Sequence, residues 1–300
     1  RVQAPALHFL AERERKIAAF IPEKYSEIYM DGNCSDIDVN LHYELPKDKI
    51  AERKKLLESQ VDEDGKKVAV DKHKIFDDVF ADTVVAETSG KNGKITEISA
   101  KKFNQAVPIP FDLTSLQMEA SNLFGYSPKR TLEIAQKLYI EGVTSYPRTS
   151  SQKLPEELNL KNVLDQLNKQ PKYKEFVAKV LEVNPSIKPN EGKKEDPAHP
   201  AIHPTGEIPK SLDPVEMKVY DLVVKRFFAV FGEPAVKETN TIRVDVNSHQ
   251  FILTGTRTII KNWHELYAPY VKAKDVELPV LTEGDTCLLY TSDAADEEDS

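Results

Sequence analysis

Residues 142–155 read Gly-Val-Thr-Ser-Tyr-Pro-Arg-Thr-Ser-Ser-Gln-Lys-Leu-Pro. The stretch sets Tyr146 two residues before Arg148, with Pro147 between them. A phenol ionises near pH ~10 and is a weak nucleophile at neutral pH. It becomes useful where cationic donors hold both it and an anionic target. Arg148 suits a phosphodiester, because a planar guanidinium fork matches two phosphate oxygens. Pro147 fixes one backbone angle between the two side chains. The plain alternative for a bare Tyr-Pro-Arg is a surface loop with a half-buried tyrosine and a solvated arginine.

Upstream of this stretch, Ser127-Pro128 opens a helix in the favoured cap-then-proline order. Leu132, Ala135, Leu138 and Tyr139 line one face of it, and Gly142 ends it. Tyr146 therefore follows a rigid helix end. Pro108 and Pro110 mark a boundary before a helix over 114–123, capped by Asp112 or Thr114. Helices are expected over 155–167 and 173–181, a charged loop over 188–200, and an amphipathic helix over 214–231.

The flanking regions read differently. A helix over 4–20 opens the chain, with Leu7, Leu10, Ala11 and Ile17 at helical spacing. From Tyr25 to Ile109 the pattern turns to strands: Ile28, Met30, Val39 and Leu41 alternate with polar residues, and 68–70, 83–85 and 94–98 are short β-type runs. Helices over 47–59 and 72–81 interrupt it. Strands return over 239–246, 250–256 and 276–281. A β-rich domain interrupted by a helical insertion explains the order β-rich, helical, β-rich.

Composition bounds the partners. The chain has 300 residues, 40% of them hydrophobic and 30% charged, which is ordinary for a globular protein of two or three domains. No apolar run suits a bilayer and no signal peptide opens the chain, so no membrane partner is expected. Cys34 and Cys287 make neither a disulfide framework nor a zinc site, which points to a reducing cytoplasm. The net charge is −8. Residues 287–296 are what the codons TGT CTC TTA TAC ACA TCT GAC GCT GCC GAC spell, a string that looks like a transposon-type sequencing adapter. The stretch 287–300 is accordingly set aside as translated adapter; a natural acidic tail is the alternative. Its five acids account for the change from −8 to −3. Between Pro110 and Lys210 there are 14 Lys and Arg against 13 Asp and Glu, so charge alone does not announce a nucleic-acid surface. A groove for nucleic acid must come from local placement of Arg1, Lys129, Arg130, Arg148 and Lys153.

The 142–155 stretch resembles the active-site motif of type IA DNA topoisomerases, and its Ser-Ser-Gln-Lys-Leu-Pro continuation is most similar to the archaeal branch. Three more segments resemble that family in the same order. Arg1-Val2-Gln3 is similar to the end of a Ser-x-Gly-Arg-Val-Gln motif. Phe111 to Gln117 is similar to its Thr-Ser-x-Leu-Gln helix start. Ala198-His199-Pro200-Ala201-Ile202-His203-Pro204-Thr205 is similar to His-x-Ala-Ile-x-Pro-Thr.

The resemblance implies a partial, multidomain α+β fold: a β-rich gate arch interrupted by a helical domain carrying the nucleophile. Its divisions would be 1–22, a helix of the DNA-binding core; 23–109, the first part of the arch; 110–210, the helical domain; 211–286, a hinge helix and the rest of the arch; and the tail 287–300. It implies that Tyr146, Arg148 and His199 are catalytic, and that Arg1, Gln3, Thr114, Ser115, Gln117 and Lys153 contact single-stranded DNA. Capping is the competing role for Thr114, Ser115 and Gln117. The implied chemistry is transient cleavage through a 5′-phosphotyrosine, strand passage and religation, relaxing negative supercoils without ATP. The implied cofactor is Mg²⁺, bound in a Toprim domain outside this chain, so no metal ligands are expected within it and the chain alone should not relax DNA. Ser150 stands where many bacterial members carry Asp, and His203 where the family commonly has Arg. The His199-x-x-x-His203 pair also has zinc spacing, but Pro200 and Pro204 oppose the helix that a zinc pair needs. The expected state is a monomer. The alternatives are the topoisomerase half of a reverse gyrase and a non-catalytic single-strand binding module.

Overall fold

The computed structural model describes the whole chain except residues 1–2, 35–36, 59–66, 156, 197, 273–274, 277 and 299–300. Arg1, expected to contact DNA, lies outside the described residues. The elements run α1 (Gln3–Ala19), β1 (Lys24–Cys34), β2 (Ile37–Tyr43), α2 (Lys47–Leu56), α3 (Asp78–Thr88), β3 (Gly93–Gln105), α4 (Leu113–Phe124) and α5 (Pro128–Ile140). They continue with α6 (Leu160–Asn168), a 3₁₀ turn, α7 (Lys174–Val183), α8 (Pro214–Ala229), β4 (Ala235–Val246), β5 (His249–Ile260), α9 (Trp263–Tyr267) and β6 (Thr286–Glu298). Two compact units result. One comprises Arg1–Ala100, Thr239–Gly255 and Glu277–Ser300; the other comprises Lys101–Glu238 and Thr256–Val276. The fold is α+β, with a discontinuous β-rich unit into which a mainly helical unit is inserted.

The β-rich unit is built on a closed barrel in the order β1-β2-β5-β4-β3-β6. Alternation drives it: Ile28, Met30, Leu41, Val244, Val246 and Phe251 point into one buried cluster while their neighbours stay outside. Gly93 is required by close approach, since a Cβ there would meet Val244 Cγ1 at 2.5 Å. The 83–85 run is not a strand. It lies in α3, where the Asp77 carboxylate accepts from the Phe80 amide at 3.1 Å and Ala81, Val84 and Thr88 face the core at helical spacing. The 68–70 run and the described residues of 276–281 carry no strand, and 72–77 is not helical.

Two further points concern the closure of the barrel. The segment set aside as adapter-like is strand β6 over Thr286–Glu298, pairing antiparallel along β1 and closing the barrel against β3. Cys34 and Cys287, expected to stay unpaired, are joined in a disulfide. The register makes them direct partners across β1 and β6, 4.2 Å apart at Cα. A separation of 253 residues hides such a pair from any local reading.

The helical unit is organised around α8, capped by Asp213 and Glu216 in a reciprocal box. An apolar stripe was expected; instead the helix is buried around most of its girth. That burial includes Asp221, which accepts from the Tyr173 hydroxyl at 2.9 Å and the Tyr270 hydroxyl at 2.6 Å and pairs with Lys172 at 2.8 Å. Buried polar groups need such partners. The short α9, unmarked in the sequence, buries Trp263, Leu266 and Tyr267 in the same core. No helix among the described residues is long and apolar enough to cross a membrane.

Candidate active site

The site grows from the C-terminal end of α5. Ser127 accepts from the Arg130 amide at 3.2 Å and Pro128 starts the helix. Thr131, Ile134, Ala135 and Leu138 bury its inner face. At the other end Gly142 takes a left-handed φ of 74°. The Val143 amide donates to the Leu138 carbonyl and the Gly142 amide to the Tyr139 carbonyl, at 3.1 and 2.9 Å. This is a Schellman stop, which turns the chain sharply off the helix axis.

The next residues are stitched to the 199–205 segment. Thr205 donates through its amide to the Val143 carbonyl (3.1 Å) and through its hydroxyl to the Gly142 carbonyl (2.7 Å). The Ser145 amide donates to the His203 carbonyl at 2.9 Å. The Ser145 hydroxyl donates to the Ala201 carbonyl at 3.1 Å and accepts from the His203 amide at 3.0 Å. Tyr146 emerges from this frame half-buried. Its ring lies 4.8 Å from the His199 ring and meets Tyr139 edge-on at 5.3 Å. Pro147 is buried and Arg148 is exposed.

Beyond Arg148, the Thr149 hydroxyl donates to the His199 carbonyl at 2.6 Å, and its carbonyl accepts from the Leu113 amide at 3.0 Å. The Ile202 amide donates to the Phe111 carbonyl at 2.7 Å, and the Ala201 amide to the Lys153 carbonyl at 2.8 Å. Three sequence-distant segments, 111–117, 142–153 and 199–205, therefore form one hydrogen-bonded assembly around Tyr146. Ser145, Thr149 and Gln152 were not singled out as site residues from the sequence; the hydroxyls beside Tyr146 and Arg148 were the available signal.

The start of α4 has its own electrostatics. Asp112 accepts from the Ser115 amide and hydroxyl, both at 2.7 Å, and from the Gln152 amide at 3.0 Å. Burial alone would raise the Asp112 carboxyl; these donors and the Lys194 charge outweigh it and hold the group below its ordinary value. Ser115 is thus engaged in a capping box, while Thr114 stays exposed. The Gln117 side-chain amide donates to the Pro128 carbonyl at 3.0 Å, tying α4 to the first turn of α5. Lys153 is ion-paired with Glu195. Gln3 begins α1, in the other unit.

His199 is exposed, whereas His203 is buried, with Nδ1 2.8 Å from the Ala201 carbonyl. Burial pushes the His203 imidazole below its ordinary value, so it supplies no fixed cation at neutral pH. The two rings do not share a metal environment: no cluster of three or more His, Cys, Asp or Glu suited to a metal ion occurs among the described residues.

The sequence profile of DNA topoisomerases matches residues 1–298. The chain belongs to the type IA DNA topoisomerase family. DNA topoisomerase 1 of Pyrococcus horikoshii is 42% identical over 281 residues, covering 93% of this chain and 37% of that protein. DNA topoisomerase 1 of Methanothermobacter thermautotrophicus is 39% identical over 300 residues, covering 100% of this chain and 37% of that protein. The chain thus spans little more than a third of these curated topoisomerases. Full-length topoisomerase I from Thermotoga maritima has the same fold, at a TM-score of 0.62 and 22% identity over 99% of this chain and 44% of its own. Within this topoisomerase chain, the residues that carried the family resemblance in the helical unit are those that assemble around Tyr146.

Proposed function

We propose that the chain is the central part of a type IA DNA topoisomerase close to the archaeal enzyme, with Tyr146 as its nucleophile. In this reading the phenol oxygen attacks a phosphodiester of single-stranded DNA. The bond formed is a 5′-phosphotyrosine, and the bond broken frees a 3′-hydroxyl, which takes up a proton. One phosphodiester replaces another, so resealing needs no ATP. Arg148 offers its fork to the charge that develops on phosphorus oxygens, a role worth roughly 3 kcal/mol for one well-placed donor. His199, beside the tyrosine ring, donates to a phosphate oxygen or moves the proton. Thr114 and Gln117 near the α4 start, with Gln3, Ser115 and Lys153, hold the strand. Passing a second strand through the break and resealing it relaxes negative supercoils.

The observation that supports this reading most is the meeting of the 111–117, 142–153 and 199–205 segments, with the His199 ring 4.8 Å from that of Tyr146. The described residues offer no donor cluster for a metal. Mg²⁺, which would assist phosphoryl transfer, is assigned in this reading to a separate Toprim domain, without which this chain is expected not to relax supercoiled DNA. A cytoplasmic monomer is the proposed state; a reducing cytoplasm would hold Cys34 and Cys287 as thiols.

The test is covalent capture. The chain is fused to a Toprim domain from the same source and given single-stranded DNA labelled at its 3′ end. After a detergent quench, label should migrate with the wild-type protein and not with Tyr146→Phe. Label on both proteins would remove Tyr146 from the reaction. Label on neither, despite DNA binding, would favour a binding module.

A further inference from the structure

Arg226 on α8 is held unusually for a cation. Its guanidinium lies between two aromatic faces, 4.1 Å from the Phe111 centroid and 4.7 Å from that of Tyr267. Its side chain is only 15% exposed. Ring faces attract a planar cation but leave its N–H groups without ordinary acceptors. The Nε atom is buried with no hydrogen-bond partner. The nearest carboxylate oxygen, Glu119 Oε2, stands 3.9 Å away, and Oε1 of that residue accepts from the Tyr267 hydroxyl at 3.0 Å. An unpaired donor on a largely buried charge is costly unless a ligand completes it.

The surroundings say which ligand. Arg226 lines a cavity of about 360 Å³ in the helical unit. Lys237 and Lys272 line it too, and Glu119 is the sole acid among the described residues of the wall. Lys272 donates to the Asn122 carbonyl, and the Lys237 charge acts on the Asp275 carboxylate, which itself accepts from Thr258. Three cations and one carboxylate line the wall, with Asp275 beside Lys237, and the remaining positive charge favours an anion. A clamped, planar fork selects one with two oxygens at phosphate spacing.

We infer that this cleft is a phosphate site, separate from the Tyr146 loop, and that it takes a phosphodiester of a single nucleic-acid strand. The phosphate chemistry stands on the cleft itself; its assignment to a strand rests on the topoisomerase reading. Binding there would also bear on the active site. Phe111, which carries the guanidinium on its ring, accepts from the Ile202 amide and precedes the Asp112 cap of α4.

The chain reports on this cleft directly, because its single tryptophan, Trp263, lines it. The 300-residue chain is titrated with a short oligodeoxythymidylate, and separately with inorganic phosphate, at ionic strength fixed with sodium chloride. The expected result is a saturable change in tryptophan emission with the oligonucleotide that weakens as salt rises. Arg226→Gln should weaken apparent affinity about 10- to 100-fold, the loss expected for hydrogen bonds to a charged group. Lys237→Ala, at the cavity wall, should weaken it several-fold without unfolding and carries the test if Arg226→Gln lowers the melting temperature. Inorganic phosphate binding as tightly as the oligonucleotide would uphold the site and overturn its assignment to a strand. No saturable change with either ligand, or folded Arg226→Gln and Lys237→Ala proteins titrating as the wild type does, would overturn the site. Failed covalent capture with an intact tryptophan response would sink the catalytic reading alone.

Discussion

Thr149→Val isolates the frame that holds the candidate site. The residue is 5% exposed, and valine matches threonine in shape while removing its hydroxyl. Two bonds go with it: the donation to the His199 carbonyl at 2.6 Å and the acceptance from the Ser151 amide at 3.0 Å. The two losses differ in cost. His199 is exposed, so its carbonyl can turn to water, and the net loss is about 1 kcal/mol. Ser151 is buried, and its stranded amide costs about 1–3 kcal/mol. A total near 2–4 kcal/mol should appear as a lower denaturant midpoint at unchanged slope. The effect on chemistry is separate. With its carbonyl released, His199 is free to shift against Tyr146, and misplacement by roughly 1 Å costs on the order of 100-fold in rate. The assay is single-turnover capture of labelled DNA by the Toprim fusion, under conditions where both proteins are folded. Thr149→Ser keeps the hydroxyl and should restore most of the rate. Capture by Thr149→Val within about twofold of wild type, or a Thr149→Ser protein as slow as Thr149→Val, would refute a positioning role.

Two further expectations concern pH. Burial pulls Lys225 on α8 down from 10.5 to about 8, against the Asp221 charge that raises it. Below pH 8 both folded and unfolded chains hold the proton and the burial penalty is full; between 8 and 10.5 the folded chain sheds it first, so stability rises with pH. Burial raises the phenols of Tyr173, Tyr267 and Tyr270 above their ordinary 10.0, so ionisation in the unfolded chain reverses the trend above that pH. Unfolding free energies from denaturant melts should therefore climb by about 2 kcal/mol between pH 8 and 10, and Lys225→Met should abolish the climb. Asp112→Ala should cost about 1–2 kcal/mol at neutral pH through loss of the α4 cap. Because the folded Asp112 carboxyl lies below the ordinary 3.8, that difference should be full above this value and fade as pH falls beneath it, as acid melts of the two proteins would read out.

Much of the fold was legible because helix caps are local. Asp112, Ser127 and Asp213 each accept from an amide two or three residues on, and Asp112 and Ser127 marked helix starts in the sequence. Strands were less legible because a strand needs a partner. Residues 68–70 (Val-Ala-Val) and 83–85 (Thr-Val-Val) are both rich in β-branched residues, yet neither is a strand. At 83–85 the 3.6-residue spacing of Ala81, Val84 and Thr88 outweighs β propensity. The Asp77 cap was present in the sequence but unweighed. Strand β6 and its Cys287 were set aside on the codons that spell them. Reading the source DNA across Thr286 would decide their origin, and native codons there would end the adapter reading.

The site divides along a different line. Its side chains were legible as strings, but their meeting was not, because backbone amides and carbonyls supply most of the frame. The bonds from Leu113 to Thr149, Ile202 to Phe111, Ala201 to Lys153 and Ser145 to His203 join atoms that nearly every residue possesses. A sequence cannot announce them. Only where a side chain enters the frame does identity matter, and there the small hydroxyls of Ser145, Thr149 and Thr205 each bond a carbonyl of a facing segment. Charged neighbours contribute less to that frame: Lys153 is paired with Glu195 at the surface, where an ion pair contributes little. The residues that orient Tyr146 are therefore the ones least conspicuous beside it, and substitution of these hydroxyls, more than of nearby charges, should separate a frame that holds the tyrosine from a loop that merely contains it.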